Sequence, residues 1–492
     1  MENVDAIVIG AGFGGLGAAL TLAERGARVV LMEALTYPGG CASTFTKHGH
    51  RFEAGATLFG GFDEGQLFAR WITRHGLDVR LDRLDPVISF RAPGLAIDVP
   101  PDRAALVDRF CALPDAPAPA IRAFFAEQAR VADALWPAFD DPGLLPPFAP
   151  GALTAHTLRL PALAGLVRHL GRPLSVMLAR HGLLGFRPLV AWLDAMCQIT
   201  VQVGVREAES PLALAAIDFC FRGTRHVHGG IGRLAEAMTG AVQTLGGSVR
   251  FACRAKGLAR DGDAWVVEGR DGGVRAPIVV ANLLPQAISG LLGASVPRLD
   301  TLAARVADGW SAAMLYLVVD PDAPALPGPH HLELVQDLER PFLDGNHLFC
   351  SVGGRDEAAS EGAVTTGRTV TMSTHFPVSR IRGASSEEQA AAVATVQDHM
   401  LAGLRALAPD LAAGVRETFP ASPRTFARFT RRPEGLVGGI PRRAGLHHYR
   451  DLWPSAVLPG LWMVGDSVFP GQSTLATAIG GIKVAEAALA AR

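Results

Sequence analysis

Three glycines and one acid dominate the chemistry near the N-terminus. Gly10, Gly12 and Gly15 stand in the run Asp5-Ala-Ile-Val-Ile-Gly-Ala-Gly-Phe-Gly-Gly-Leu, and Glu33 follows 23 positions after Gly10. The spacing reads as a clamp for a dinucleotide. Gly10 supplies the sharp turn out of a buried strand, Gly12 lets backbone approach a pyrophosphate, and Gly15 lets the helix pack against the strand. The diphosphate then rests on the helix N-terminus. Glu33 ends a second apolar run, where a carboxylate accepts hydrogen bonds from an adenosine ribose and repels a 2′-phosphate. Three spaced glycines alone are a weak signal. Strand, glycines, helix, a Gly26 stop, strand and acid in that order are a strong one.

Further chemistry lies downstream. Gly39 and Gly40, after Tyr37-Pro38, let backbone amides reach phosphates or a ring, the plainer alternative being a simple turn. Asp466, beside Gly465 at the end of Leu461-Trp-Met-Val, can accept hydrogen bonds from ribityl or ribose hydroxyls near the positive end of the next helix. Gly471 and Gln472 open that helix and can aim amides where a ring gains negative charge on reduction. Gly480 and Gly481 lie inside it and point to close packing against cofactor or sheet, with a helix kink as the alternative. His226, His228 and the doublets His330-His331 and His447-His448 are metal-ligand types. With no carboxylate or thiol at ligand spacing, they read as surface or loop histidines, and no metal is expected. No second Gly-x-Gly-x-x-Gly follows a strand, because Gly229-Gly230-Ile-Gly232 opens a helix after a polar run, so no dedicated nicotinamide site is expected. No residue identifies itself as a catalytic acid or base.

The elements that must position these residues come from both ends of the chain. Strands over Ala6 to Ile9 and Arg28 to Met32 frame the first helix. From 86 to about 221 the pattern turns to proline-punctuated helices such as Ala120 to Ala134 and Pro188 to Ile199, a mostly helical lobe. At Val227-His-Gly-Gly-Ile-Gly-Arg-Leu the nucleotide pattern returns: a helix to Leu245, a strand Ser248 to Cys253, a hairpin over Leu258 to Val267 and a strand Pro277 to Ala281. Strands at Ala312 to Val319, His347 to Val352 and Thr369 to Phe376 announce a second sheet, followed by a helix from Ser386 to Leu407. The closing helix, Ser473 to Ala491, takes Ser473 or Thr474 as its cap.

Composition narrows the function classes. The 492 residues are 49% hydrophobic and 19% charged, which describes an ordinary core-forming chain of two or more domains. A net charge of −1 provides no global field for nucleic acid, and no nucleic-acid partner is expected. Six scattered cysteines without a Cys-x-x-Cys pair fit free thiols in a reducing cytoplasm. The first strand begins by about residue 4, which leaves no room for a secretory signal. No run reaches the roughly 18 apolar residues of a membrane span. Between Asp141 and Asp194 there is no acid, while Arg159, Arg168, Arg172, Arg180 and Arg187 interleave with Leu, Val, Met and Phe. The stretch 155–190 therefore reads equally as a basic amphipathic surface for anionic lipid headgroups or as a lobe whose arginines snorkel along its own core. The expected location is cytoplasmic, with membrane association on the first of those readings.

Taken in order, Gly10 to Leu16, Glu33, Gly39-Gly40 and Gly465-Asp466 resemble the amine-oxidase-type FAD-dependent superfamily over essentially the whole chain. Phe52-Glu-Ala-Gly-Ala-Thr, the stretch from Ser422 to Gly439, and Gly465-Asp-Ser-Val-Phe-Pro-Gly-Gln resemble its phytoene desaturase and carotenoid isomerase branch. The resemblance implies FAD held by Gly10, Gly12, Gly15, Glu33, Gly39, Gly40, Ala255, Gly465, Asp466, Gly471 and Gln472, with backbone around Ala255 against the adenine. It implies an α/β fold: a Rossmann-like FAD-binding domain from 1–85, 222–308 and 440–492, and a discontinuous α+β substrate domain from 86–221 and 309–439. The implied activity is desaturation or flavin-mediated cis–trans isomerisation of a long unsaturated lipid such as a carotenoid, with oxygen or a quinone as electron acceptor. Two departures stand out. Many relatives follow the Gly-Gly pair with an arginine that contacts FAD, where this chain has Cys41. Pro470-Gly-Gln-Ser-Thr is closer to the isomerase-like pattern than to the glycine cluster of desaturases, although Ser473-Thr474 then diverge, so both reactions stand. An amine or porphyrinogen oxidase on the same scaffold is the alternative enzyme, disfavoured by only three tyrosines for an amine cage. A non-catalytic prenyl-lipid-binding protein is the other alternative, and the intact Gly10, Gly12, Gly15, Glu33 and Asp466 argue against it.

Overall fold

The strand Ala6–Ile9 is apolar and buried at every position, as the centre of a parallel sheet requires. It is the middle of five parallel strands in the order Ser248–Arg250, Val29–Met32, Ala6–Ile9, Ile278–Ala281 and Leu461–Met463. In this computed structural model residues 1–324, 326–357 and 367–491 are described. Helices Phe13–Glu24 and Thr474–Ala490 pack on each other, and Gly232–Thr244 packs on the first, so residues from both ends of the chain share one layer. A four-stranded sheet, in the order Glu2–Asn3, Gly272–Ala276, Ala264–Gly269 and Gly257–Asp261, shares a core with the parallel sheet.

The turn out of Ala6–Ile9 is set by geometry that only glycine satisfies. Gly10 has φ +95°, and a Cβ on Gly15 would stand 1.9 Å from the Gly10 carbonyl oxygen. The two long helices cross where neither has a side chain: a Cβ on Gly17 would meet the Ala478 carbonyl at 2.5 Å, and one on Gly481 the Gly14 carbonyl at 2.3 Å. Gly481, expected to pack against cofactor or sheet, packs instead helix against helix.

A second sheet has seven strands in the order Val415–Ala421, Trp310–Val319, Arg368–Pro377, His347–Val352, His330–Val335, Ile88–Ala92 and Leu95–Val99. All pairs are antiparallel except His330–Val335 with Ile88–Ala92. Helices Ala118–Leu135, Arg187–Thr200 and Ser210–Ile217 form the helical lobe, and their core includes Phe90 and Ile97 from the end of this sheet.

Three expectations need correction. The start of the stretch read as helical from 86 is a hairpin, Ile88–Ala92 with Leu95–Val99, turning at Pro93-Gly94. Each arm is five residues long, and its inner edge is completed by a strand from far along the chain, which no local pattern reveals. The strand expected to run to Cys253 stops at Arg250, because Ala252 takes a left-handed φ of 49° and its amide donates to Leu35. That bend brings the Cys253 amide to the Glu33 carbonyl at 2.8 Å. Strands His330–Val335 and Val415–Ala421 were not anticipated. The second is an edge strand that contains Pro420 and is largely exposed, so it lacks the apolar run that marks a central strand.

Candidate cofactor and substrate site

One cavity of about 1240 Å3 runs from the glycine turn, between the two sheets, into the helical lobe. Gly10, Gly12, Glu33, Gly39, Gly40, Ala255, Gly465, Asp466 and Gln472 all line it. The helix Phe13–Glu24 begins at Gly12 with no side-chain cap. Its first amides thus face the cavity at Gly12, Phe13 and Gly14, a cradle for a diphosphate. Glu33 is buried, with Oε2 accepting from the Ala11 amide and Oε1 from the Leu35 amide, each at 2.8 Å. Burial pushes its carboxyl pKa up against the pull of the Leu35, Ala11 and Ala34 amides.

Two of the sequence-derived residues lie elsewhere. Gly15 is behind the turn, under the Gly10 carbonyl, and acts through packing. Gly471 faces the guanidinium of Arg442, whose Nη2 would be 2.5 Å from a Cβ at that position, and it is not among the cavity-lining residues. The Gln472 side chain is also committed, with its amide nitrogen donating to the Ile199 and Thr200 carbonyls at 2.8 and 2.6 Å. It ties the start of the last helix to the helical lobe. Ser473 caps that helix by accepting from the Ala476 amide at 3.0 Å.

Sequence reasoning missed Arg432. Its Nη2 donates to Asp466 Oδ2 at 2.5 Å, and both residues line the cavity beside Cys41. Burial would lower the guanidinium pKa, but Asp466 holds it firmly protonated. The Cys41 thiol is raised by burial, a shift that Arg432 opposes and Asp466 reinforces. The cation that Cys41 does not supply thus arrives from another segment, and the doublet Arg431-Arg432 before Pro433 is the only sequence signal for it.

Beyond this polar end the wall is apolar, with Phe13, Trp136, Phe139, Leu166, Leu212 and Phe219 among its residues. His375 also lines it; burial, reinforced by His347, drives its pKa down to about 3, so it is neutral and adds no charge to the chamber. The stretch 155–190 is mostly engaged within the protein. Arg168 and Arg180 pair with Glu127, Arg187 with Glu339, and Arg159 donates to the Ala134 carbonyl. On the helix Ala152–Ala164 and just after it, Leu153, Leu158, Leu160 and Val167 are 58 to 80% exposed, while Leu163 and Leu166 line the cavity. No helix among the described residues is long and apolar enough to cross a membrane. All six cysteines are free.

The surface-or-loop reading is overturned for four of the six histidines, while His228 and His447 are partly exposed. His226, His330, His331 and His448 are buried. His226 bonds Glu357 at 2.6 Å, and Asp82, His228 and Glu357 bring ligand-type atoms within 4.8 Å of one another. Carboxylates distant in sequence reach these rings through the fold. Arg80 lies on Asp82 at 3.3 Å, so a cation already faces that group.

A family model described as a NAD(P)-binding Rossmann-like domain matches residues 8–74. The chain is similar to prolycopene isomerase 1, chloroplastic, of an Oncidium hybrid cultivar, at 26% identity over 98% of this chain and 83% of that protein. It is also similar to the neurosporene-forming phytoene desaturase of Rhodobacter capsulatus, at 51% identity over 11% of this chain and 10% of that protein. Among solved structures, wild-type putrescine oxidase bound to putrescine superposes with a TM-score of 0.64 at 15% identity, covering 99% of each chain. That likeness shows the fold alone: a parallel-sheet Rossmann-type unit with a second sheet.

Proposed function

We propose that this chain, a carotenoid desaturase/isomerase-like member of the amine-oxidase-type superfamily of oxidoreductases, binds FAD and acts on a carotenoid or related terpenoid. The reaction is desaturation or cis–trans isomerisation. The continuity of the cavity carries this reading: the glycine turn and the apolar chamber share one space of about 1240 Å3. That exceeds a typical pocket for a single small ligand, roughly 300 to 1000 Å3, and suits a dinucleotide plus a long guest. We assign 1–85, 222–308 and 440–492 to the cofactor domain, and 86–221 and 309–439 to the substrate domain.

Bound FAD supplies a two-electron centre that takes or gives hydride. The protein's part is to hold, orient and keep dry. Gly12, Phe13 and Gly14 present amides to the diphosphate, Glu33 meets the adenosine ribose, and backbone near Ala255 flanks the adenine. Asp466, oriented by Arg432, faces the ribityl hydroxyls. Trp136, whose Nε1 donates to the Ala215 carbonyl at 3.1 Å, offers the guest its apolar face. A neutral His375 and the surrounding hydrocarbon exclude water from the reacting carbons. The electrons pass on to oxygen or a quinone. The exposed Leu153, Leu158 and Leu160 lie next to Leu163 and Leu166 of the chamber, which supports a peripheral membrane contact at a cytoplasmic surface through which the guest enters.

An amine-oxidase reading has less support. Of the three tyrosines, only Tyr449 lines the cavity, and its hydroxyl donates to Glu209. The test is incubation of the purified protein with FAD and cis-carotenoids or saturated precursors, aerobically and with dithionite. A change in bond order or geometry of the polyene is expected by chromatography and absorbance. No change with any polyene or terpenoid overturns the reading.

A further inference from the structure

The cavity wall at Thr57 is the inner end of a polar chain that the chemistry above does not use. Thr57 is buried and lines the cavity, and its Oγ1 accepts from Ser351 Oγ at 2.5 Å. Because the single hydroxyl proton of Ser351 goes to Thr57, its 2.8 Å bond to His331 Nδ1 has the ring as donor. That tautomer leaves His331 Nε2 as a bare acceptor, and this atom is buried without a partner among the described residues. His226 is the complement: Nε2 bonds Glu357 Oε2 at 2.6 Å, while Nδ1 is buried without a partner among the described residues. The Arg225 amide donates to the Phe59 carbonyl at 3.1 Å, which lays His226 alongside the segment carrying Thr57. Outward, Glu357 Oε1 lies 3.8 Å from His228 Nδ1, and that nitrogen is 3.2 Å from Asp82 Oδ2. The His228 and Asp82 side chains are 23% and 21% exposed.

We propose that Thr57, Ser351, His331 and His226 form a proton path between the cavity and the solvent-facing His228–Asp82 pair, with a water bridging His331 Nε2 and His226 Nδ1. Two buried ring nitrogens left without partners among the described residues, on rings that interact electrostatically, are the kind of polar atoms a buried water satisfies. Burial opposes charge on both rings, but the Glu357 carboxylate outweighs it at His226 and raises that pKa. His331, buried and facing the His226 charge, is held well below the usual range. The titratable groups around His226 are Glu53, Asp82, His228, His331 and Glu357, with Arg368 and Arg355 behind Glu357. In this arrangement the donors are polarised toward the cavity; outward transfer needs both hydroxyls rotated and the His331 proton moved from Nδ1 to Nε2 through the bridging water.

The path rests on the oxidoreductase reading and belongs to its desaturation arm, which releases one proton per turnover, whereas isomerisation is redox-neutral and releases none. Forming a double bond removes two hydrogens from the guest. One leaves with two electrons as hydride, for onward transfer to oxygen or a quinone, and the other leaves as a proton along the path. A reductive step draws that proton inward.

The test uses the near-isosteric Thr57→Val and, as a second variant, His331→Gln. Each is expected to lower kcat on the order of 10²-fold at pH 7 and to change its pH profile and solvent deuterium effect, with KM and flavin content kept. Independently of turnover, nitrogen NMR of the cofactor-free chain should show His331 neutral with its proton on Nδ1 and a His226 that titrates above an ordinary imidazole. Parent-like kcat, pH profile and deuterium effect in Thr57→Val, or a His331 protonated on Nε2, would overturn the path. An inactive parent that retains no flavin would sink the functional reading itself, a failure distinct from unchanged profiles in an active parent.

Discussion

Arg432 and Asp466 form the charge pair on which the polar end of the cavity turns. Arg432 and Asp466 are largely buried, with side chains 19% and 13% exposed, so removing one strands the other. Arg432→Met should destabilise the fold by about 3 kcal/mol and release the flavin, as read by thermal unfolding and flavin absorbance after gel filtration. Glu53 gives a second signature at this scale. Burial raises its carboxyl pKa from 4.5 to about 7, against the pull of His226 and the Ile231 amide. A raised acid is protonated in the fold, so its stabilisation is present below pH 4.5 and lost as pH rises through about 7. Glu53→Gln should therefore raise the melting temperature at pH 8 relative to the parent and leave it unchanged at pH 4.5. Gly10, Gly12 and Glu33 were legible as a site because one local unit carries them all. Arg432 and the His226–Glu357 pair were not, because their partners meet only through contacts between distant segments.

At the scale of elements, the crossing of Phe13–Glu24 with Thr474–Ala490 positions the diphosphate cradle. A Cβ at Gly481 would meet the Gly14 carbonyl at 2.3 Å, and backbone cannot give way as a flexible side chain does. Gly481→Val should cost about 3 kcal/mol and abolish cofactor retention, both measurable by denaturant unfolding with and without added FAD. The helix Ala152–Ala164 belongs to the other end of the site. Leu158→Asp with Leu160→Asp should prevent co-sedimentation with anionic vesicles while leaving the unfolding midpoint within about 0.5 kcal/mol of the parent, since both positions are exposed. Unchanged co-sedimentation would remove the membrane contact from the account. The long helices and the buried parallel strands announced themselves by period and by unbroken apolar runs. The hairpin Ile88–Ala92 with Leu95–Val99 and the edge strand Val415–Ala421 did not, because short or exposed strands take their identity from the neighbours that complete the sheet.

For the whole molecule, the parallel sheet joins segments from residue 6 to residue 463, so the cofactor end exists only when both ends of the chain have folded together. The seven-stranded sheet and helical lobe then close an apolar chamber onto that end. Folding and cofactor binding should thus be coupled, with FAD stabilising both ends at once. The most direct measurement is mass spectrometry of the small molecules released by heat from the purified chain after reconstitution with excess FAD. The account predicts FAD retained near one equivalent per chain, with retention lost in Gly481→Val. A parent chain that retains no flavin after reconstitution would contradict it.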